Sequence, residues 1–596
     1  MSGALTRWRA AFGARPALVG GAVVLVAAFL ASATGLGNGF TYDDIPVVVE
    51  NPMVQQLHSL WAYLTDSYWG PSRGNSLYRP VTVIAFALER WVGGGSPLPF
   101  HVANVVLYLG TALAVFALAR ELLPREGALL AGVLWAVHPV HVEAVANIVG
   151  QSEMLVAIPT LLAVTMYIRD RRAGDLRGRT VAGIAGMFAL ALLSKEHGIL
   201  VPFILILAEV ALRSSHFARP AALPRRALLA RTLLLMTVAY VVVRLSILGG
   251  FAGDAPHPTL TDLTRGERLW VMLALVPEFA RLFFWPARLH ADYSPNAIPF
   301  LTSPDPGHLL GAAILLATIA GLVLAWRRDR LIAFAILWVG LTLGPVSNIL
   351  IPTGVLVAER TLFLPSVGFA LLVARLAVLA APALAHVPRG WVRRAVPATL
   401  VLLLVAAAAR SATRQLDWED NATLFATTIA QAPDNFRAHH ALGELFGSAG
   451  SWERALHHLR IADSLYPGYD LLELSIARVL HFDDRCPEAL PVYEKVLGHR
   501  PDAEVARVGR AACLLELRRL SDAREEAVAG IARGNAVGSF GVILQKAESS
   551  LVATDTVDAR NRWFRAGAPV SRSDARLRVP VLLMRSNPAL ISGRMR

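Results

Sequence analysis

The chain has 596 residues, of which 55% are hydrophobic and only 17% charged, with a mean hydropathy of +0.49. Soluble domains carry about a quarter charged residues, so this composition excludes an ordinary soluble protein and implies a polytopic membrane protein. The formal charge of +13 does not point to nucleic acid, because most of the arginines fall in short loops between apolar runs, where they set orientation. The two cysteines, Cys486 and Cys513, cannot build a disulfide framework. Two structural thiols are expected, with one bridge between them left open.

In chain order, Arg7, Arg9 and Arg15 precede an apolar run at 17–33. Ala31-Ser32-Ala33 imitates a cleavage site, but the run is long for a signal core and many spans follow, so a retained signal-anchor helix is expected. Next comes TYDDIPVVVENP (41–52), which places adjacent carboxylates Asp43 and Asp44 at a membrane surface. Such a pair at the mouth of a helix bundle is a candidate general base; the alternative is a solvated acidic loop that caps a helix. A bilayer crossing takes about 20 apolar residues. Eleven candidate spans result, at 17–36, 102–120, 127–140, 154–168, 180–194, 199–213, 231–249, 308–326, 331–346, 361–385 and 393–410. Basic clusters at Arg120/Arg125, 169–179, 213–231, 327–330 and 389–394 fall in alternate loops, all cytoplasmic if the N-terminus is. Segments 78–95 and 266–286 carry internal charges, among them Arg79, Glu89, Glu267 and Arg281, and are expected to lie on or dip into the outer face.

The opposite loops collect the ionisable residues: Asp43-Asp44, Tyr78-Arg79-Pro80, HPVHVEAVANIVGQSE (138–153), SKEHG (194–198), HADYSPNAIP (290–299) and a long loop at 344–366. Charges at span ends cost free energy, and their concentration on one face suggests a shared cavity. Arg79, Lys195 and Arg360 are candidate cations for a phosphate; Glu143, Glu153, Glu196 and Glu359 would balance them or bond sugar hydroxyls. His138 and His141 are three apart and share a face if helical, to bond sugar or phosphate or only the bundle. By type, His138, His141 and Glu143, or Asp43-Asp44, suit a divalent ion, but the spacing is no recognised motif. No metal site is assigned and no cofactor is certain, with a divalent metal left open.

After Arg410 the composition becomes that of soluble helices. Pro433, Pro467 and Pro501 recur every 34 residues, and Leu442, Gly443, Phe446, Ala455 and Ala462 occupy the packing positions of a tetratricopeptide repeat. Ala477, Leu480, Ala489 and Tyr493 keep the register, and Ala511, Leu514 and Ala523 begin a third unit. Residues 421–433 look like the second helix of a leading half-repeat. A short solenoid is expected, with a cap and loose basic tail after 535.

YRPVTV, HPVHVEAVANIVGQSEML, SKEHGI and AERTLFLPSVGF occur in this order, all in loops assigned to one compartment. Together with the C-terminal repeats, they make residues 38–530 resemble the transmembrane and tetratricopeptide repeat-containing O-mannosyltransferases. An outer-face acidic pair after the first span is likewise the mark of the GT-C glycosyltransferase fold. The resemblance implies an all-α GT-C-like bundle over 1–410 (38–101 and 250–306 interfacial), a repeat solenoid over 411–535 and a cap and tail over 536–596. It implies an inverting membrane enzyme that moves mannose or a similar hexose from a polyprenyl-phosphate to Ser/Thr hydroxyls of exported proteins. Asp43 matches the catalytic acid of the family's pair, with Asp44 beside it. The implied partners are the lipid-linked sugar, an exported acceptor met by the repeats, and the bilayer of a bacterial inner membrane. The chain departs from the family in having about three repeats where eukaryotic relatives carry more, which puts the acceptor in question. A non-enzymatic repeat scaffold for envelope assembly is the alternative. A transporter is disfavoured, since neither inverted repeats nor broken mid-membrane helices are seen.

Overall fold

The computed structural model describes residues 16–69, 77–217, 223–250, 260, 263–293, 304–349, 352–533 and 537–565. Arg7, Arg9 and Arg15, the tail beyond 565, and residues 294–299 and 350–351 of the two long loops lie outside the described residues. The described residues are all helix, turn and loop, with no strand among them. They divide into two compact units, 1–433 and 434–596.

The first unit is built from α1 (Pro16–Ser32), α2 (Pro80–Gly93), α3 (Leu98–Leu122), α4 (Arg125–Ala136), α5 (Gln151–Ala173), α6 (Gly178–Ser194) and α7 (Val201–His216). It continues with α8 (Leu223–Leu248), α9 (Arg265–Phe284), α10 (Pro306–Arg328), α11 (Arg330–Leu343), α12 (Pro365–Ala385), α13 (Gly390–Gln415) and α14 (Asn421–Gln431). This is a multi-pass membrane protein. Among the described residues, seven helices are long and apolar enough to cross a bilayer: α1, α3, α5, α8, α10, α12 and α13. An eighth crossing arises if α4 and Pro139–Ala146 count as one span, bent by 48°. Pro139 has no N–H to continue the ladder, which explains the break. All eleven candidate segments are thus largely helical, but α6, α7 and α11 are short: the 16 residues of α7 reach about 24 Å, against a hydrocarbon core of about 30 Å. Neither α2 nor α9 qualifies as a span.

The ionisable residues sort to the two ends of the bundle. α5 runs 23 residues, about 35 Å, with Glu153 in its first turn and Arg171-Arg172 in its last. At its C-terminal end Glu121 holds Arg169 at 2.9 Å and Arg172 at 3.2 Å, and buried Arg171 bonds Glu209 at 2.9 Å. The middle is apolar, with Trp135, Phe188, Phe334, Trp338 and Phe363 fully buried. The N-terminal end of α5 opens onto the polar loops described below.

The second unit contains α15 (Phe436–Ser448), α16 (Trp452–Leu465), α17 (Asp470–Phe482), α18 (Cys486–His499), α19 (Glu504–Glu516), α20 (Leu520–Ala532) and α21 (Val537–Arg565). The turns inside the three hairpins each hold a left-handed residue, Gly450, Asp484 and Arg518, at intervals of 34 residues. Ala455, Leu459, Ala462, Ala477, Ala489, Tyr493 and Leu514 form one apolar cluster, so successive hairpins share a core. Helix α14, read above as part of a half-repeat, instead places Leu424 in a cluster of the first unit with Trp418, Val142 and Ala146. One expectation is corrected: Cys486 and Cys513 are not separate thiols but a disulfide. Cys486 opens α18 and Cys513 lies on the buried side of α19, which brings their Cα atoms to 5.2 Å, within bridging range.

Candidate functional site

The acidic pair sits in a tightly anchored loop. Beyond α1, Asn38 donates its side-chain amide to the Gln415 carbonyl at 2.8 Å, and Gly39 donates its N–H to the Glu419 carbonyl at 2.8 Å. The chain then turns at Tyr42, whose φ is +50°. The two carboxylates that follow meet different surroundings. Asp44 is fully buried and accepts the N–H groups of Thr41 and Val149, each at 3.0 Å. Burial pushes its carboxyl up to about 7 against the pull of those N–H bonds. Asp43 is 28% exposed, with Oδ2 at 3.1 Å from Arg360 Nη1.

Arg360 belongs to the short turn Glu359–Leu362 ahead of Pro365, the first residue of α12. Its backbone N–H donates to Glu143 Oε2 at 2.9 Å, and its Nη1 lies 3.4 Å from Glu143 Oε1. Glu143 therefore fixes both the main chain and the guanidinium that faces Asp43. Burial works against the Arg360 charge, but Glu143 and then Asp43 outweigh it and raise the group above the ordinary guanidinium range.

A second set of charges gathers around SKEHG. Pro80 bars the helical conformation to Arg79, which is left as the cap of α2. Arg79 grips Glu196 with two nitrogens, Nη2 at 2.7 Å and Nε at 3.0 Å from Oε2. Arg244, near the end of α8, approaches the other oxygen at 3.3 Å. Lys195 pairs with buried Glu153 at the start of α5. Burial alone would push the Glu196 carboxyl up; Arg79, then Arg244, outweigh it and hold it at about 2. Gly198 allows this turn: a Cβ there would stand 2.3 Å from the Ala191 carbonyl carbon. The Tyr68 ring lies 5.0 Å from the Arg79 guanidinium. Glu153 acts on both Arg79 and Arg360, so the sets form one electrostatic unit.

Of the residues singled out from sequence, the structure thus brings together Asp43, Glu143 and Arg360, and beside them Arg79, Glu153, Lys195 and Glu196. His138 and His141 turn into the helix packing. His138 Nε2 bonds the Phe283 carbonyl at 3.0 Å and its Nδ1 accepts from Val140 N. His141 bonds Ser366 Oγ at 2.8 Å and Tyr108 OH at 3.1 Å. With their nitrogens engaged and Glu143 held by Arg360, these three do not present a metal-ligand set. The sequence reading missed Arg244, for which a lone arginine inside an apolar span was the available signal. It also missed Tyr68 and the buried partners of Glu359, a residue it did single out: Glu359 accepts from Tyr293 OH at 3.1 Å and lies 3.8 Å from fully buried Arg414.

Residues 81–243 match the family model of the dolichyl-phosphate-mannose-protein mannosyltransferases, a match that includes Glu143, Glu153, Lys195 and Glu196. The chain is 28% identical over 450 residues to protein O-mannosyl-transferase F38B6.6 of Caenorhabditis elegans, covering 73% of this chain and 61% of that protein. It is 25% identical over 499 residues to protein O-mannosyl-transferase TMTC3 of Mus musculus (76% and 52%). Against protein O-mannosyl-transferase TMTC1 of Homo sapiens it is 28% identical over 504 residues (74% and 55%). The likeness to these proteins, each named as a protein O-mannosyl-transferase, runs over about three quarters of the chain. The chain spans between half and two thirds of the length of these relatives.

Proposed function

We propose that this protein is a membrane glycosyltransferase of GT-C type that transfers mannose or a similar hexose from a polyprenyl-phosphate to Ser or Thr hydroxyls of exported proteins. Asp43 is the general base. It takes the proton of the acceptor hydroxyl as that oxygen attacks the anomeric carbon; the bond from that carbon to the phosphate oxygen breaks, and the electron pair leaves with the lipid phosphate from the opposite face, inverting the centre. Arg79, Lys195 and Arg360 stabilise the charge that grows on the leaving phosphate. Asp44 anchors the loop, and His138 and His141 orient the helices. The site faces the extracytoplasmic side of a bacterial inner membrane, and the 34-residue hairpins are tetratricopeptide repeats that present the acceptor.

The observation that carries this reading is the asymmetry of the acidic pair: Asp43 is accessible beside a fixed arginine, while Asp44 is sealed by backbone N–H groups. Likeness to proteins named as O-mannosyl-transferases supplies the reaction class. The test is transfer from synthetic mannosyl-phosphoryl polyprenol to Ser/Thr peptides by purified protein, read by mass shift. Asp43→Asn, which keeps size and hydrogen bonding, should slow transfer by about 10²–10⁴-fold with an unchanged unfolding temperature. Turnover near wild type would refute Asp43 as base, and no transfer to any acceptor in an envelope-protein panel would favour the scaffold reading.

A further inference from the structure

We infer that Asn421 is a positioning residue for this reaction, one that acts through the backbone of Tyr42; the inference rests on the reading of Asp43 as base. Tyr42 immediately precedes Asp43 and has φ +50°, a left-handed conformation that bulky L residues disfavour and keep only where their surroundings impose it. The imposing contact is visible. Tyr42 N–H donates to Asn421 Oδ1 at 2.7 Å across 379 residues of sequence. The Tyr42 ring stands edge-on to Phe425 at 5.9 Å, and its hydroxyl is 3.3 Å from Asp292 Oδ2.

Asn421 is the first residue of α14, and the helix does not need its amide as a cap. Asp420 fills that place by accepting Thr423 N–H at 2.7 Å. The Asn421 amide is thereby left to serve the loop. The adjoining backbone bond, Gly39 N–H to the Glu419 carbonyl, docks the same loop on the same segment, so two points fix the chain just ahead of Asp43. The peptide that joins Tyr42 to Asp43 is set by the Tyr42 backbone. If Tyr42 relaxes to negative φ, the Asp43 carboxylate swings away from Arg360 while Asp44 stays tied to Thr41 and Val149. A displacement of about 1 Å at a reacting group can cost about 10²-fold in rate.

The experiment uses the full chain, mannosyl-phosphoryl polyprenol and a Ser/Thr peptide, with kcat and KM measured separately. Asn421→Ala should lower kcat about 10–100-fold while KM for donor and peptide changes by less than about threefold. Asn421→Asp, which keeps the acceptor oxygen, should retain most of the rate. Asparagine tolerates the left-handed region, so Tyr42→Asn introduced into Asn421→Ala should recover most of kcat. An unchanged kcat in Asn421→Ala overturns the inference. So does failure of rescue, or a loss in Tyr42→Asn alone as large as that in Asn421→Ala, which would assign the effect to the ring. Asp43→Asn in the same assay separates the two readings: if it is inactive and Asn421→Ala is unaffected, only the positioning inference falls, and if it is active, the reading of Asp43 falls.

Discussion

Glu196 is the carboxylate to perturb first, because it alone holds two of the site's cations. Replacing it with Gln removes the charge that Arg79 meets at 2.7–3.2 Å and that Arg244 meets at 3.3 Å. Breaking a fully buried ion pair costs about 3–5 kcal/mol. The Glu196 side chain is 31% exposed, so water screens part of this, and about 1–3 kcal/mol is the reasonable range. Two signatures follow. First, Glu196 titrates at about 2 in the folded protein against an ordinary 4.5. A lowered folded value makes the contribution complete above about pH 5 and lost as pH falls towards about 2. The wild type should lose stability across that window, and Glu196→Gln should lose less. Second, the variant leaves Arg79 and Arg244 without their anion, so a polyprenyl phosphate should raise its unfolding temperature more than it raises that of the wild type. The assay is thermal unfolding in nanodiscs, with and without that lipid. Equal lipid-induced shifts in the two proteins would refute the assignment of Arg79 to a phosphate.

Further outcomes are expected elsewhere. Asp44→Asn exchanges one acceptor for a donor facing backbone N–H groups, costing about 1–3 kcal/mol. Because burial raises the folded value of Asp44 to about 7, the wild type also loses stability as pH rises from about 4 to 7, and unfolding scans should show this slope flattened in the variant. Gly198→Ala would drive its methyl into the Ala191 carbonyl, so expression and unfolding temperature should fall, with a cost of about 1–3 kcal/mol or more. Cys486→Ser should abolish a mobility difference between reducing and non-reducing gels. Opening a 27-residue loop should destabilise the second unit by about 3.5 kcal/mol, read as an earlier second-unit transition in calorimetry.

The fold was legible where a local pattern suffices. Apolar runs marked the helices, and the spacing of Pro433, Pro467 and Pro501 anticipated hairpin turns that recur every 34 residues. The gathering of Asp43, Arg79, Glu143, Glu153, Lys195, Glu196 and Arg360 was legible because charged residues at span ends are costly and collect on one face. What sequence did not convey was the division of labour within it. Nothing in the letters Asp-Asp says that one carboxylate takes Val149 N–H from 105 residues away while its neighbour meets Arg360. His138 and His141 have the right chemistry, yet their ring nitrogens are consumed by Phe283, Ser366 and Tyr108 on other segments. The disulfide was hidden for the same reason: its geometry depends on how α18 faces α19.

One feature of the site bears on turnover. Four carboxylates, Asp43, Glu143, Glu153 and Glu196, stand against four cations, Arg79, Lys195, Arg244 and Arg360, and every cation already has an internal anion within 4 Å. Such a site is self-neutralised when empty and exerts little long-range pull. On the proposed function, an arriving lipid phosphate would have to compete with built-in carboxylates for each arginine it touched, which would weaken ground-state binding relative to a bare cluster of cations. For the transfer reaction, the same competition works at the other end of the cycle. If the proposed transfer takes place, the carboxylates would reclaim their partners once the sugar had left and displace the spent carrier, so product inhibition by polyprenyl phosphate should be weak and the lipid free to exchange for a loaded one.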